Sequence, residues 1–176
     1  MTSAAEHRQK KFHDTPKPRR VPLALFLPLP LMQPVLRLVV NRAAQTHPGL
    51  FDRLGPYGDK IFLIDPVNLP LAFLLRPSAK KPLLRACQRR GLPAYDARIA
   101  GTFLTLFALF DGRLDGDALF FTRDLVIEGD TEAVVRLRNA LDDLEGRMTD
   151  DLAQSFGPVA QAGLATMRRI ERRLRR

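Results

Sequence analysis

The sequence predicts an α+β domain built from about five strands and flanking helices. Two observations carry this. Apolar residues recur at helical spacing near both ends of the body, over residues 32–43 and 133–144. Between them, short apolar runs alternate with Pro/Asn/Ser/Gly turns, the punctuation of strands. A chain of 176 residues with 45% hydrophobic content is long and apolar enough for one packed domain with appendages.

Taken in order, residues 1–20 hold basic, polar and proline residues without periodicity and read as a disordered tail. Residues 21–40, VPLALFLPLPLMQPVLRLVV, contain one charge, Arg37, and four prolines. Their length would cross a bilayer, but a spanning helix would have to run through Pro28, Pro30 and Pro34, each removing a backbone bond where lipid supplies no substitute. A cleaved signal fits no better, since no small-x-small site follows closely. The segment therefore divides: a proline-broken apolar arm, then an amphipathic helix over 34–46. Met32, Val35, Leu36, Val39, Val40 and Ala43 form its apolar face, and Gln33, Arg37, Asn41 and Gln45 its polar stripe. Pro34 is placed in the first turn, where a missing N–H costs nothing, and His47-Pro48-Gly49 stops the helix.

Strands are expected at IFLID (61–65), LPLAFLLR (69–76), PLLRAC (82–87) and AYDARIAG (94–101), the last with Tyr95, Ala97 and Ile99 on one face and Asp96 and Arg98 on the other. TFLTLFALF (102–110) returns to helix and ends at Asp111-Gly112. DALFFT (117–122) reads as a short helix and LVIE (125–128) as a buried strand. Gly129 then turns the chain, and Asp130 caps a helix whose buried face is Ala133, Val134, Leu137, Ala140, Leu141 and Leu144. A basic amphipathic helix closes the chain from about Pro158. The organisation is thus a tail (1–20), an arm and amphipathic helix (21–46), a domain (47–146) and a C-terminal basic amphipathic helix (147–176).

The charge is concentrated at the ends. Of the formal +9, residues 1–20 contribute +4 and RRIERRLRR (168–176) contributes +5, leaving the body neutral. Such ends suit an anionic partner. The C-terminal arginines Arg168, Arg169, Arg172 and Arg173 alternate with Ile170 and Leu174, with no aromatic for base stacking. A basic amphipathic helix favours an anionic membrane surface over nucleic acid, and a solvated helix end is the plain alternative.

Catalysis finds little to work with. His7, His13 and His47 lie in the tail and in a loop, and no HExxH, CxxC, GxSxG or Walker glycine loop is present. The stretch from Asp111 to Asp117 lacks the order of a calcium loop and has Thr122 where that loop needs Glu. Cys87, without a histidine nearby in sequence, reads as a small core residue and fits a reducing, cytoplasmic compartment. No cofactor and no metal is expected. What remains is apolar excess: Phe103, Leu104, Leu106, Phe107, Leu109 and Phe110, then Leu119, Phe120 and Phe121. An ordinary core and a cavity for a hydrocarbon chain use the same residues, and periodicity does not separate the two.

Residues 117–145, DALFFTRDLVIEGDTEAVVRLRNALDDLE, resemble the lipid-binding domain of the sterol carrier protein type-two (SCP-2) family. Within it, LFFTRDLVIEGDTE and the lead-in VPLALFLPLPLMQPVLRLVVNR are similar to the UbiT-like accessory factors of bacterial ubiquinone biosynthesis. The resemblance implies a mostly antiparallel sheet covered by helices that enclose an apolar tunnel. It implies a non-catalytic role: binding ubiquinone or polyprenylated precursors for soluble hydroxylases in the oxygen-independent branch, beside UbiU- and UbiV-like iron–sulfur partners. The expected tunnel residues are Phe103, Phe107, Phe110, Leu119, Phe120, Phe121 and Ile127, with Leu36 and Val40 at the entrance. Arg168, Arg169, Arg172 and Arg173 are expected to touch the inner face of the membrane. Glu128 and Arg123 are expected to pair with each other rather than with a ligand.

Overall fold

The computed structural model describes residues 28–111, 125–142 and 147–174. The tail, the DALFFT segment and Leu144 lie outside the described residues.

Helix α1 (Leu29–Thr46) begins five residues before Pro34. Pro28 holds the extended N-cap conformation, and its carbonyl accepts from the N–H groups of Leu31 and Met32 at 2.8 and 3.2 Å. Pro30, not Pro34, is the first-turn proline, and Pro34 sits one turn inside on the exposed side. The expected break there does not occur because packing overrides the local cost. Helix α1 lies along strand β3 (Leu83–Gln88), and Gln33 Nε2 donates to the Ala86 carbonyl at 2.7 Å. Gln33 thus leaves the expected solvent stripe and holds the helix to the sheet edge. Val35, expected on the buried face, is 54% exposed and joins Leu31 (58%) and Leu38 (56%) in an outward apolar stripe. No helix among the described residues is long and apolar enough to cross a membrane.

Pro48 stops α1 as expected and opens a second helix, α2 (Pro48–Leu54), followed by a 3₁₀ turn (Gly55–Asp59). Strands β1 (Phe62–Pro66), β2 (Leu71–Arg76), β3, β4 (Ala97–Gly101) and β5 (Leu125–Gly129) form one sheet in the order β3-β2-β1-β4-β5. Three neighbouring pairs are antiparallel; β1 and β4 run parallel, Phe62 opposite Ala97 and Ile64 opposite Ile99. The sheet is therefore mixed with an antiparallel majority.

Helix α3 (Phe103–Phe110) is fixed at its start by two side chains: Thr102 Oγ1 accepts from Thr105 N at 3.2 Å, and Asn68 Oδ1 accepts from Phe103 N at 2.8 Å. At the end of β5, Gly129 adopts φ 85°, and a Cβ there would lie 2.3 Å from the Asp96 carbonyl oxygen. Only glycine fits this turn. Helix α4 (Thr131–Asp142) follows, capped by Asp130 Oδ1 accepting from Ala133 N at 3.0 Å. Its buried residues are Ala133, Val134, Leu137, Ala140 and Leu141, the face read from the sequence.

Residues 147–174 form two helices, α5 (Arg147–Ser155) and α6 (Pro158–Leu174), rather than one. Gly157, at φ 85°, turns the chain between them, a conformation that ends a helix and that only glycine adopts freely.

The β-alternation sorts the core into two layers. Phe62, Ile64 and Ile99 point toward the helices and join Leu54, Leu106, Val134 and Leu137. Leu63, Ala72 and Leu74 point to the opposite face, with Leu92 and Cys87 against them.

Candidate functional site

The helix-side core is incompletely filled. Between α1, α2, α3, α4, α5 and the sheet lies a partly open cavity of about 280 Å³. Leu36, Val39, Val40 and Ala43 of α1 form one wall, and Phe103, Leu106, Phe107 and Phe110 of α3 another. Ile64, Phe73 and Leu84 make the sheet-side floor; Phe51 of α2, Leu137 and Leu141 of α4, and Leu152 of α5 close the remainder. Among the described residues, every one that lines it is apolar.

The local origins of these walls are simple. Residues 36, 39, 40 and 43 share one face of α1 by helical period, and 103, 106, 107 and 110 share one face of α3. The two caps at Thr102 and Asn68 set the direction in which α3 leaves the sheet, and so aim its phenylalanines across the cavity from α1. Among the described residues the walls carry no polar side chain, so what they offer a ligand is non-directional apolar burial. An apolar cavity of about 150 Å³ stays dry and takes up benzene. One of 280 Å³ can therefore receive a short length of hydrocarbon.

Of the expected tunnel residues, Leu36, Val40, Phe103, Phe107 and Phe110 line this cavity. Ile127 instead packs partly buried against the core. Leu119, Phe120 and Phe121 lie outside the described residues. Sequence reasoning missed Phe51, Phe73, Leu84, Leu137, Leu141 and Leu152 as lining residues. Leu137 and Leu141 were legible as a buried helix face, but nothing in that face distinguishes a cavity wall from a filled core.

The charged candidates are sorted differently from expectation. Arg168 does not face outward. Its Nη2 and Nε donate to Asp111 at 2.7 and 2.9 Å and its Nη1 to Asp150 at 2.5 Å, and its side chain is largely buried. The bonds to Asp111 and then Asp150 raise its pKa above the usual guanidinium value, against the opposing effect of burial. The carboxyl of Asp111, 2% exposed at the end of α3, draws the arginine inward. Arg169, Arg172 and Arg173 remain exposed on α6.

Glu128 pairs with Arg98 Nη1 at 3.0 Å, whereas Arg123 lies outside the described residues. Cys87 is half-buried in β3, its Sγ 3.4 Å from the Ala72 carbonyl, and burial pushes its thiol pKa up. It lies on the sheet face away from the cavity.

Comparison with known proteins follows this geometry. The sequence search of curated proteins finds no match. Among solved structures, a UbiJ-SCP2 ubiquinone synthesis protein superposes with TM-score 0.53 at 17% identity, covering 68% of this chain and 97% of that one. The sterol carrier protein domain 2 of Helicoverpa armigera gives TM-score 0.45 at 14% identity, over 64% of this chain and 87% of that one. Apo sterol carrier protein 2 from Yarrowia lipolytica gives 0.45 at 13% identity, over 65% and 90%. At such identities the likeness speaks to fold alone. The family profile described as SCP-2 sterol transfer matches residues 40–142, from the middle of α1 to the end of α4. That is more than half of the sequence, and the chain belongs to the SCP-2 sterol transfer family.

Proposed function

We propose that this protein is a non-catalytic lipid-binding accessory factor of ubiquinone biosynthesis. It holds ubiquinone or a polyprenylated precursor by the tail and leaves the ring outside for soluble hydroxylases. The observation that carries the reading is the wholly apolar cavity between α1 and α3 in a chain of the SCP-2 family. Each buried CH₂ contributes about 0.8 kcal/mol, so one isoprene unit contributes roughly 4 kcal/mol. Two such units correspond to roughly micromolar affinity before the costs of association. A tail is therefore handle enough, and no polar contact to the ring is required.

The quinone is supported by the UbiT-like stretch LFFTRDLVIEGDTE (119–132) and by the pathway of one structural neighbour, a ubiquinone synthesis protein. The same stretch supports the oxygen-independent branch and UbiU- and UbiV-like partners. The site of action is the cytoplasmic face of the membrane. Leu31, Val35 and Leu38 present an exposed apolar stripe on α1, the helix whose other face lines the cavity, and α1 carries Arg37 and Arg42 but no acid. Apolar residues among cations suit an anionic bilayer.

Native mass spectrometry of the purified protein, alone and with a short-tailed ubiquinone, tests the reading. A bound prenylated quinone is expected, and Phe107→Asp is expected to lose it. Absence of any lipid or quinone adduct sinks the proposal. The same exposed stripe favours a second reading, a peripheral membrane adaptor that binds no quinone. Flotation with anionic liposomes without any quinone adduct is the result that selects it.

A further inference from the structure

The α5–α6 hairpin lies outside residues 40–142, the part shared with the family, yet it reaches the cavity. Leu152 of α5 forms part of the lining. Beside this apolar contact, the hairpin is fastened to the body by polar groups. Arg168 and Thr149 bond the buried Asp111 carboxylate at the end of α3, Thr149 Oγ1 donating to Oδ1 at 2.5 Å. On the other side, Ser155 Oγ accepts from Arg42 Nε at 3.3 Å, and Asp151 Oδ2 lies 3.3 Å from His47 Nε2, a contact that becomes an ion pair when the imidazole carries its second proton. The two fastenings end on α3 and on the end of α1, whose lining faces form opposite walls of the cavity.

We propose that the α5–α6 hairpin is a lid that closes the apolar cavity over a bound hydrocarbon chain, with Arg168–Asp111 as its latch. This rests on the cavity being the ligand site. The chemistry suits a lid better than a permanent wall. Burying Leu152 against a ligand tail favours closure, while the polar fastenings exchange for water at modest net cost on opening. Asp111 makes the latch sharp. Without Arg168 the closed state would bury a carboxylate that has lost the two-pronged guanidinium bond, whereas the open state would hydrate it. Arg168 also bonds Asp150 and Thr149, so one side chain ties α3, α5 and α6 together. A tail entering between α1 and α3 would meet Leu152 and could stay only as long as the hairpin stays down.

The test uses the full chain loaded with cis-parinaric acid, a fluorescent fatty acid, and follows its release to acceptor liposomes by stopped flow. Arg168→Gln is expected to speed release about tenfold, the scale of losing charged hydrogen bonds. Asp151→Asn, at the other fastening, is expected to speed it about twofold. Hydrogen exchange should show α5 and α6 losing protection while β1 and β4 keep theirs. Should Arg168→Gln fail to fold, Asp151→Asn decides by the same reading. Release at the native rate from a variant whose α5 and α6 amides have become labile overturns the lid and leaves the cavity as a ligand site. No uptake of the probe by the native chain overturns the cavity reading, and the lid with it.

Discussion

The two faces of the sheet are built on opposite principles. Toward the helices, β1 presents Phe62, Ile64 and Pro66, and the layer above them leaves about 280 Å³ unfilled and wholly apolar. Away from the helices the same strand presents Leu63 and Asp65, and here polar bonds converge. Asp65, 1% exposed, accepts from Arg89 Nη2 at 2.7 and 2.9 Å and from Arg98 Nε and Nη2 at 3.0 and 2.5 Å. Arg98, 8% exposed, reaches on to Glu128. Burial opposes its charge, but the bonds to Asp65 and Glu128 outweigh that and raise its pKa. One face is held by direction-specific bonds across β1, β4 and β5; the other is non-directional and has room. Empty core volume costs roughly 24 cal/mol per Å³, so a space of this size forgoes several kcal/mol of packing. The difference teaches where this fold places stability and where it places capacity.

Breaking the charged face should have the largest effect. Arg98→Met keeps most of the side-chain volume but leaves Asp65 buried with, among the described residues, the partly exposed Arg89 as its remaining cation. A loss of about 3–5 kcal/mol is expected, read as a drop in the urea midpoint. The double change Asp65→Leu/Arg98→Met should recover most of that loss, because replacing both partners removes the unpaired charge. A single change that costs no more than a surface substitution would show that the network does not hold this face. Ligand uptake by the folded fraction should survive either change, since the network lies across the sheet from the cavity.

Filling the other face should act in the opposite sense. Ala43 is buried on α1 and lines the cavity. Ala43→Leu places new apolar volume in the empty space and is expected to stabilise by about 1 kcal/mol while weakening ligand uptake. Thermal unfolding and native mass spectrometry on the same sample check both halves. A destabilised protein with unchanged uptake would mean that the side chain cannot enter the cavity, and the comparison between the faces would lose its meaning.

Much of this contrast could be read in the sequence, though unevenly. Alternation put Arg98 on the face opposite Ala97 and Ile99, but nothing local announced a carboxylate partner 33 residues earlier. Burial of Arg98 is a property of the parallel β1–β4 pairing, which brings Leu63 opposite Arg98 and which a string of short strands does not specify. The helical face of α3 was legible because all its turns are apolar. Helix α5, RMTDDLAQS, was merged with α6 into one helix over 147–176, because Met148, Leu152 and Ala153 are too few apolar residues to mark a separate element. Its importance lies in the partners it finds on α1 and α3. Pro34 misled for a related reason: the local rule prices a proline correctly, but Gln33 and the β3 edge supply the compensation. Five of the nine expected tunnel residues line the cavity, two from the periodic face of α1 and three from α3, which reads as apolar nearly all round.

The corner where β5 passes into α4 joins the two faces, and it yields the smallest and most pH-specific effect. Asp130 caps α4 through the Ala133 N–H and lies 3.3 Å from Lys60 Nζ. The hydrogen bond from Ala133, then Lys60, holds its carboxyl below the usual range, while partial desolvation works the other way. A folded-state pKa below the unfolded value of about 3.9 means that the folded chain binds fewer protons there. Its contribution is therefore complete above the unfolded value and is lost as pH falls through the lowered folded one. Asp130→Asn keeps a capping side chain but has no charge to titrate. The native protein should be the more stable of the two near neutrality, and the difference should shrink as the pH drops below the unfolded value and through the lowered folded one. Added salt should narrow the gap at neutral pH as well, because the Lys60 pair is solvent-accessible. Urea midpoints for both proteins across that range give the comparison. A gap that stays constant down to the lowest pH would show that the charge of Asp130 contributes nothing, and that the corner is held by the capping bond and by Gly129 alone.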